Sequence, residues 1–210
     1  MAEIRAIFWD VGGVLLSNAW DHTERTNALE HFHLDGNEFQ ARHEVVVSAF
    51  ERGEMPLDEY LERTVFYKQR SFSRDEFKEY MFSLSQPNPE VLAFARSLAS
   101  AGKYLMGTIN NESRELNVYR IEKFGLRENF RVFVSSCFVG LRKPEHGIYR
   151  LAAEITQMDT EHCCFIDDRE LNLEAAGTLG MKTVQMKTLG QLREDLRRLG
   201  VNEEPGNLSV

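Results

Sequence analysis

Cysteine is scarce in this chain of 210 residues, with only Cys137, Cys163 and Cys164 present. An odd number without framework spacing excludes a disulfide-stapled scaffold and points to reduced thiols in a cytoplasmic protein. Positive charge is also short. Lys and Arg number 25 against 33 Asp and Glu, for a formal net charge of -8. That balance disfavours wrapping a nucleic-acid backbone, which needs a basic face. No apolar run approaches the roughly 20 residues of a membrane span, so no membrane partner is expected. Met1 to Asp10 lacks a basic stretch followed by an apolar one, so no export signal is expected. The dinucleotide-binding Gly-x-Gly-x-x-Gly fingerprint is absent as well. Hydrophobic residues at 42% and charged residues at 28% describe a globular chain, not a disordered one.

Short apolar runs alternate with helical periodicity. Ile4 to Trp9, Tyr104 to Ile109, Arg131 to Ser135, Cys163 to Ile166 and Lys182 to Met186 read as buried strands. Pro89 to Ala101, Glu112 to Phe124, Glu145 to Ile155 and Leu171 to Leu179 read as helices, three of them followed directly by Gly. Leu192, Leu196 and Leu199 mark one face of a last helix. This alternation predicts an α/β fold with a doubly wound parallel sheet. Residues 20–85 break the pattern. They carry almost no strand signal but hold 11 of the 22 aromatic residues and a charge balance of -6. Leu57, Tyr60, Leu61 and Thr64 recur at helical spacing, as do Phe77, Tyr80 and Met81. The expected organisation is a core of residues 1–19 and 86–200, an inserted all-helical cap at 20–85 with its own small core, and a frayed tail at 201–210.

Ligands of open parallel sheets bind at the carboxyl ends of the strands. Asp10, Asn110-Asn111, Lys143 and Asp167-Asp168 all fall at or after strand ends. Singly, each is an ordinary turn, cap or loop residue. Together they make a phosphoryl-transfer site. A strand-end carboxylate such as Asp10 can attack phosphorus and form an aspartyl-phosphate. Asp167 and Asp168 beside it would call for a hard cation, and Mg2+ uses one or two carboxylates plus oxygens of phosphate and water. Lys143 supplies positive charge to the nucleophile and the transferring oxygens. Asn110 and Asn111 offer amide donors. Gly12 and Gly13 permit close backbone approach to the phosphate, and the carbonyl after Asp10 adds a metal ligand.

Four segments carry a family resemblance. Phe8-Trp9-Asp10-Val11-Gly12-Gly13-Val14-Leu15 resembles the first motif of the haloacid dehalogenase-like hydrolase superfamily. Thr108-Ile109-Asn110-Asn111-Glu112-Ser113 resembles the second, Gly140-Leu141-Arg142-Lys143-Pro144-Glu145 the third, and Phe165-Ile166-Asp167-Asp168-Arg169-Glu170-Leu171-Asn172 the fourth. The resemblance implies a Rossmann-like core with a helical cap, Mg2+ dependence, and hydrolysis of a small phosphorylated metabolite. It implies Asp10 as nucleophile and metal ligand, Asp168 as the main carboxylate ligand, Asp167 in support and the Gly12 carbonyl completing the site. Lys143 would stabilise charge, Asn111 would bind substrate, and Asn172 would brace the fourth-motif loop.

Two positions depart from the family pattern. Phosphatases of the family usually carry an acid two residues after the nucleophile, where this chain has Gly12. Loss of a general acid/base costs about 10²–10⁴ in rate. Asn110 replaces the usual Ser or Thr. The leading expectation is a phosphatase of a small ester whose leaving group needs little protonation, such as an anomeric sugar phosphate. Asp21 and His22 are the nearest replacements for the proton donor, and Phe50, Glu51 and Arg52 the expected cap wall. One alternative is a catalytically impaired protein that binds a phosphorylated ligand or a protein partner. A 2-haloacid dehalogenase ranks below both.

Overall fold

A computed structural model describes residues 2–204. Five strands form one parallel sheet in the order β3-β2-β1-β4-β5, with β1 at Ala6–Trp9, β2 at Leu105–Asn110, β3 at Val132–Ser135, β4 at Cys163–Asp167 and β5 at Lys182–Gln185. The alternating side chains of β1 explain its continuous apolar run. Ile7 and Trp9 enter one core with Phe94, Leu98, Cys164 and Leu192, while Ala6 and Phe8 enter the other with Tyr149, Ala152, Cys163 and Phe165. A strand covered on both faces has no polar side to show. Cys163 and Cys164 therefore pack on opposite faces, and burial pushes their thiols up to about 11 and about 12. Gly107 of β2 is set by the same packing, because a Cβ there would lie 2.9 Å from the Phe8 ring.

The chain winds from β1 outward through β2 to β3 and returns across the sheet to β4 and β5. The order reverses at β1, between β2 and β4, and there a crevice opens at the carboxyl ends. Asp10 follows β1 and Asp167 ends β4 at this point.

The insert after β1 holds four helices: α1 (His22–His31), α2 (Gly36–Glu51), α3 (Leu57–Thr64) and α4 (Arg74–Ser83). Aromatic packing holds them together. Phe50 stacks on Tyr60 with centroids 3.9 Å apart, and Trp20 meets Phe77 edge-on at 5.9 Å. Ser73 caps α4 in a reciprocal box with Glu76, which satisfies two donors at that helix start. The core of the insert is not wholly its own. Helix α6 (Arg114–Lys123), which follows α5 (Pro89–Ser100) and β2, contributes Leu116 to it, and Tyr119 stacks on Phe82 at 4.9 Å. The same α6 sends Ile121 into the sheet's core. The two connections to the insert meet at Ser17, whose N–H donates to the Gln86 carbonyl and whose hydroxyl donates to the Leu84 carbonyl, both at 2.8 Å.

The remaining helices are α7 (Ser136–Val139), α8 (His146–Thr156), α9 (Glu170–Thr178) and α10 (Leu189–Arg198). The expected frayed tail starts too early at Val201. Val201 is buried beside Leu192 and Leu196, and the Asn202 N–H donates to the Tyr104 hydroxyl at 3.1 Å. Residues 205–210 of that expectation lie outside the described residues. No helix among the described residues is long and apolar enough to cross a membrane.

Candidate active site

Strand β1 delivers Asp10 to the crevice, where it is 7% exposed. Its Oδ1 accepts from the Val11 N–H at 2.7 Å and pairs with Lys143 Nζ at 2.8 Å. Lys143 Nζ also donates to Asp167 Oδ2 at 2.6 Å. Asp167 is saturated further. The Arg169 N–H donates to its Oδ1 at 2.8 Å, and the Asn172 amide reaches both oxygens at 3.1 and 3.0 Å. Asp168 is different: its Oδ1 is buried and has no hydrogen-bond partner among the described residues. One carboxylate oxygen from each of Asp10, Asp167 and Asp168 lies within 4.8 Å of the others, the one such donor group among the described residues.

Three carboxylates against one ammonium leave this cluster short of positive charge. Burial, with Asp167 adding repulsion and Lys143 opposing both, pushes the Asp10 carboxyl up to about 7. Burial and the adjoining Asp167 likewise raise Asp168. A divalent cation would relieve the deficit, and the unpartnered Asp168 oxygen is a ready ligand for it. Gly13 makes room for this carboxylate. A Cβ there would fall 2.4 Å from Asp168 Oδ2, and the residue holds φ +74°.

Asn110, the last residue of β2, and Asn111 after it have separate places. Asn111 holds the Lys143 backbone by both ends of its amide, accepting from the Lys143 N–H at 2.8 Å and donating to its carbonyl at 2.9 Å. Asn110 does not lie at the cavity, where the sequence pattern puts its amide against a phosphoryl group. Its side chain is buried, donating to Asn117 at 3.0 Å and accepting from the Ser135 hydroxyl at 2.8 Å. Its position at the end of the strand turns it toward α6 and β3, where it ties three elements together.

A cavity of about 520 Å³ opens above Asp10, Gly12 and Lys143. A family model for haloacid dehalogenase-like hydrolases matches residues 4–180. The chain belongs to the haloacid dehalogenase-like hydrolases. Over 163 residues, 78% of its length, it is 28% identical to the Arabidopsis thaliana flavin mononucleotide hydrolase 1 and spans 65% of that protein. It spans smaller shares of the other curated relatives it matches. Among solved structures it resembles a family enzyme from Bacteroides thetaiotaomicron in complex with magnesium and inorganic phosphate. That match has 21% identity and a TM-score of 0.71, covering 88% of this chain and 94% of the other. It also resembles a HAD-like hydrolase from Porphyromonas gingivalis at 19% identity and a TM-score of 0.75, covering 96% and 100%.

In this haloacid dehalogenase-like chain the space beside Gly12 is filled from elsewhere. A Cβ on Gly12 would lie 3.2 Å from Oδ1 of Asn18, and one on Gly13 3.1 Å from the same atom. Asn18 thus stands where a longer residue at position 12 would project. Sequence reasoning misses it, since a lone Asn before the insert belongs to no pattern. Arg25, Arg142 and Arg169 also line the cavity, and no motif marks them for that role. Of the expected wall, Glu51 lines the cavity, whereas Phe50 is buried against Tyr60 and faces away from it. Arg52 bonds the Gly140 carbonyl and the Glu145 carboxylate, which docks the end of α2 on the loop that carries Lys143. Asp21 lines the cavity but pairs with Arg169 at 2.5 Å, and His22 opens α1 outside it.

Proposed function

We propose that this chain is a phosphatase of small phosphate esters, with Asp10 as nucleophile. The observation that carries this reading is the Asp10–Asp167–Asp168 cluster with Lys143, of which Asp10 and Lys143 line the cavity. Asp10 Oδ1 is held by Val11 and Lys143, which leaves Oδ2 as the attacking atom. Oδ2 attacks phosphorus, the ester P–O bond breaks, and the alcohol departs with its electron pair and takes up a proton. Water then attacks the phosphorus of the aspartyl-phosphate, inorganic phosphate leaves, and the carboxylate is restored.

Asp10, Asp168 and the Gly12 carbonyl would hold Mg2+, with Asp167 fixing Lys143 from behind. The unpartnered Asp168 oxygen and the cradle at Gly13 fit that role. When bound, Mg2+ would supply charge neutralisation for the phosphoryl oxygens. Lys143 donates to the same oxygens, and Asn111 keeps Lys143 in place through its backbone. Both relatives named for phosphate chemistry support this reading: a flavin mononucleotide hydrolase, and a structure holding magnesium and inorganic phosphate.

Position 12 limits the leaving group. No carboxyl stands there, and the Asn18 amide beside it cannot serve as an acid at neutral pH. The substrate is therefore an ester whose leaving group departs with little protonation, and an anomeric sugar phosphate is of this kind. The same observation favours a second reading, a protein that holds a phosphorylated ligand without turning it over. A panel of sugar, nucleotide and aryl phosphates, with and without Mg2+, separates the two. Mg2+-dependent release of phosphate that disappears in Asp10→Asn supports the phosphatase. Binding without release across the panel supports the second reading, and halide release from a 2-haloacid without metal overturns both.

A further inference from the structure

The cavity is lined by more guanidinium groups than the reaction at Asp10 uses. Arg25 comes from α1, Arg142 from the loop before Lys143, and Arg169 from the loop after β4. Arg120, a fourth arginine at the cavity, is held by Glu112 at 2.9 Å and the Ser17 carbonyl at 2.5 Å, although its Nε too is buried without a partner among the described residues. Of the other three, Arg142 and Arg169 each pair with one acid at the cavity, Glu51 at 2.7 Å and Asp21 at 2.5 Å. Arg25 donates one Nη1 bond, to the Trp20 carbonyl at 2.7 Å, while its Nε is buried without a partner among the described residues. The Nε of Arg142 is buried and unpartnered in the same way. Leaving a buried donor unpaired is costly, so a ligand that satisfies it is favoured over one that does not.

The protein itself places an anion among these groups. Glu51, at the end of α2, sends its carboxylate into the cavity and pairs with Arg142 at 2.7 Å. Burial raises the proton affinity of this carboxylate, and Arg142, Arg169 and Arg25 oppose that rise in part. One carboxylate thus pairs with a guanidinium in a cavity that two more guanidiniums line, from the insert and from the sheet. That is a binding environment for an anion, filled by a side chain from the insert's side of the cavity.

We propose that Arg25, Arg142 and Arg169 form a subsite for a second anionic group on the leaving group of the substrate, with Glu51 as its internal competitor. The substrate class is then a phosphate monoester carrying a carboxylate or a second phosphate. The cavity volume of about 520 Å³ suits a ligand of metabolite size. Guanidinium forks match either group bidentately. The proposal rests on the phosphatase reading for the reaction but not for the binding, and the two fail separately.

Binding is measured by calorimetry with Asp10→Asn protein and Mg2+, using pairs of esters that differ in the second anion. Glycerol 3-phosphate is paired with 3-phosphoglycerate, and glucose 1-phosphate with glucose 1,6-bisphosphate. The first pair reads a carboxylate and the second a phosphate. The expected result is at least about tenfold tighter binding of the doubly anionic member in one pair or both, the worth of one charge-assisted pair. Arg142→Gln or Arg25→Gln brings that ratio toward one. Glu51→Gln raises it, because the competitor is gone, an opposite sign that a purely structural role for these residues does not produce. Arg63→Gln, on an exposed pair with Glu59, leaves it unchanged. Equal binding within both pairs, or a ratio that falls in Glu51→Gln, overturns the subsite. Failure of native protein to hydrolyse any ester while the ratio persists overturns the phosphatase reading alone.

Discussion

Two buried polar assemblies sit on either side of the cavity and differ in one respect. At the sheet, Asp10, Asp167 and Asp168 face a single ammonium, and Asp168 keeps an oxygen with no partner among the described residues. In the insert, the chain of Trp20, Tyr60 and His43 is neutral and complete. The Trp20 indole donates to the Tyr60 hydroxyl at 3.0 Å, and that hydroxyl and His43 Nδ1 lie 2.7 Å apart. The Tyr60 hydroxyl is thus the shared partner of the indole and the imidazole. A closed network contributes to the shape of the insert and asks for nothing. An under-neutralised one is destabilising as it stands, and the deficit marks where a ligand belongs.

The contrast can be broken in stages. The largest effect is expected from Asp10→Asn, which removes the carboxylate proposed as nucleophile. Phosphate release should fall by about 10⁴-fold or more, on the scale of losing a nucleophile, while thermal melting shows no loss of stability because one buried negative charge is gone. Lys143→Met comes next. It strands Asp10 and Asp167 without a counter-charge and should cost about 3–5 kcal/mol in denaturant titrations. Mg2+ should restore part of that, since the deficit it answers has grown.

Tyr60→Phe tests the other assembly. It leaves His43 and Trp20 without their shared partner and should cost about 1–3 kcal/mol, with no response to Mg2+. The pH dependence of stability gives a smaller signal from the same network. Burial, helped by Arg25 of α1 and Arg142 of the Lys143 loop, lowers His43 from 6.5 to about 4, and Tyr60 of α3 bonds its neutral form. The unfolded chain therefore takes up a proton at higher pH than the folded one. The stability of the neutral form is complete above about 6.5 and is lost as pH falls toward about 4. Melting curves over that window should flatten in His43→Gln. Arg63→Ala, on the exposed helix pair with Glu59, should change stability by less than about 0.5 kcal/mol and so sets the baseline.

The sheet side of this contrast is legible in the amino-acid order. Apolar runs that end in Asp10, Asn110 and Asp167 announce strand ends, and parallel topology brings strand ends together. The insert side is legible only as helices and aromatics. Glu51 is met where the expected wall puts it, but Asn18 and Arg25 reach the cavity through loop path and helix packing, which leave no period in the sequence. Asn110 shows the converse. Its place at a strand end marks it as a donor to phosphate, yet one residue of register separates it from the cavity and turns it toward Asn117 and Ser135. The pattern locates a neighbourhood, while side-chain direction depends on packing.

Helix α6 carries Leu116 and Tyr119 on the insert's side and Ile121 on the sheet's, and its Glu115 accepts the Leu57 N–H at the start of α3 at 3.0 Å. The unit that could be exchanged between relatives is therefore larger than the inserted segment. Grafting residues 20–85 onto another sheet would leave Phe82 and the first turn of α3 without the surfaces they rest on. Deleting them would expose an apolar stripe on α6. Inheritance of the lid and of one face of this helix is coupled, and a chimera that respects the chain breaks but not that face should aggregate.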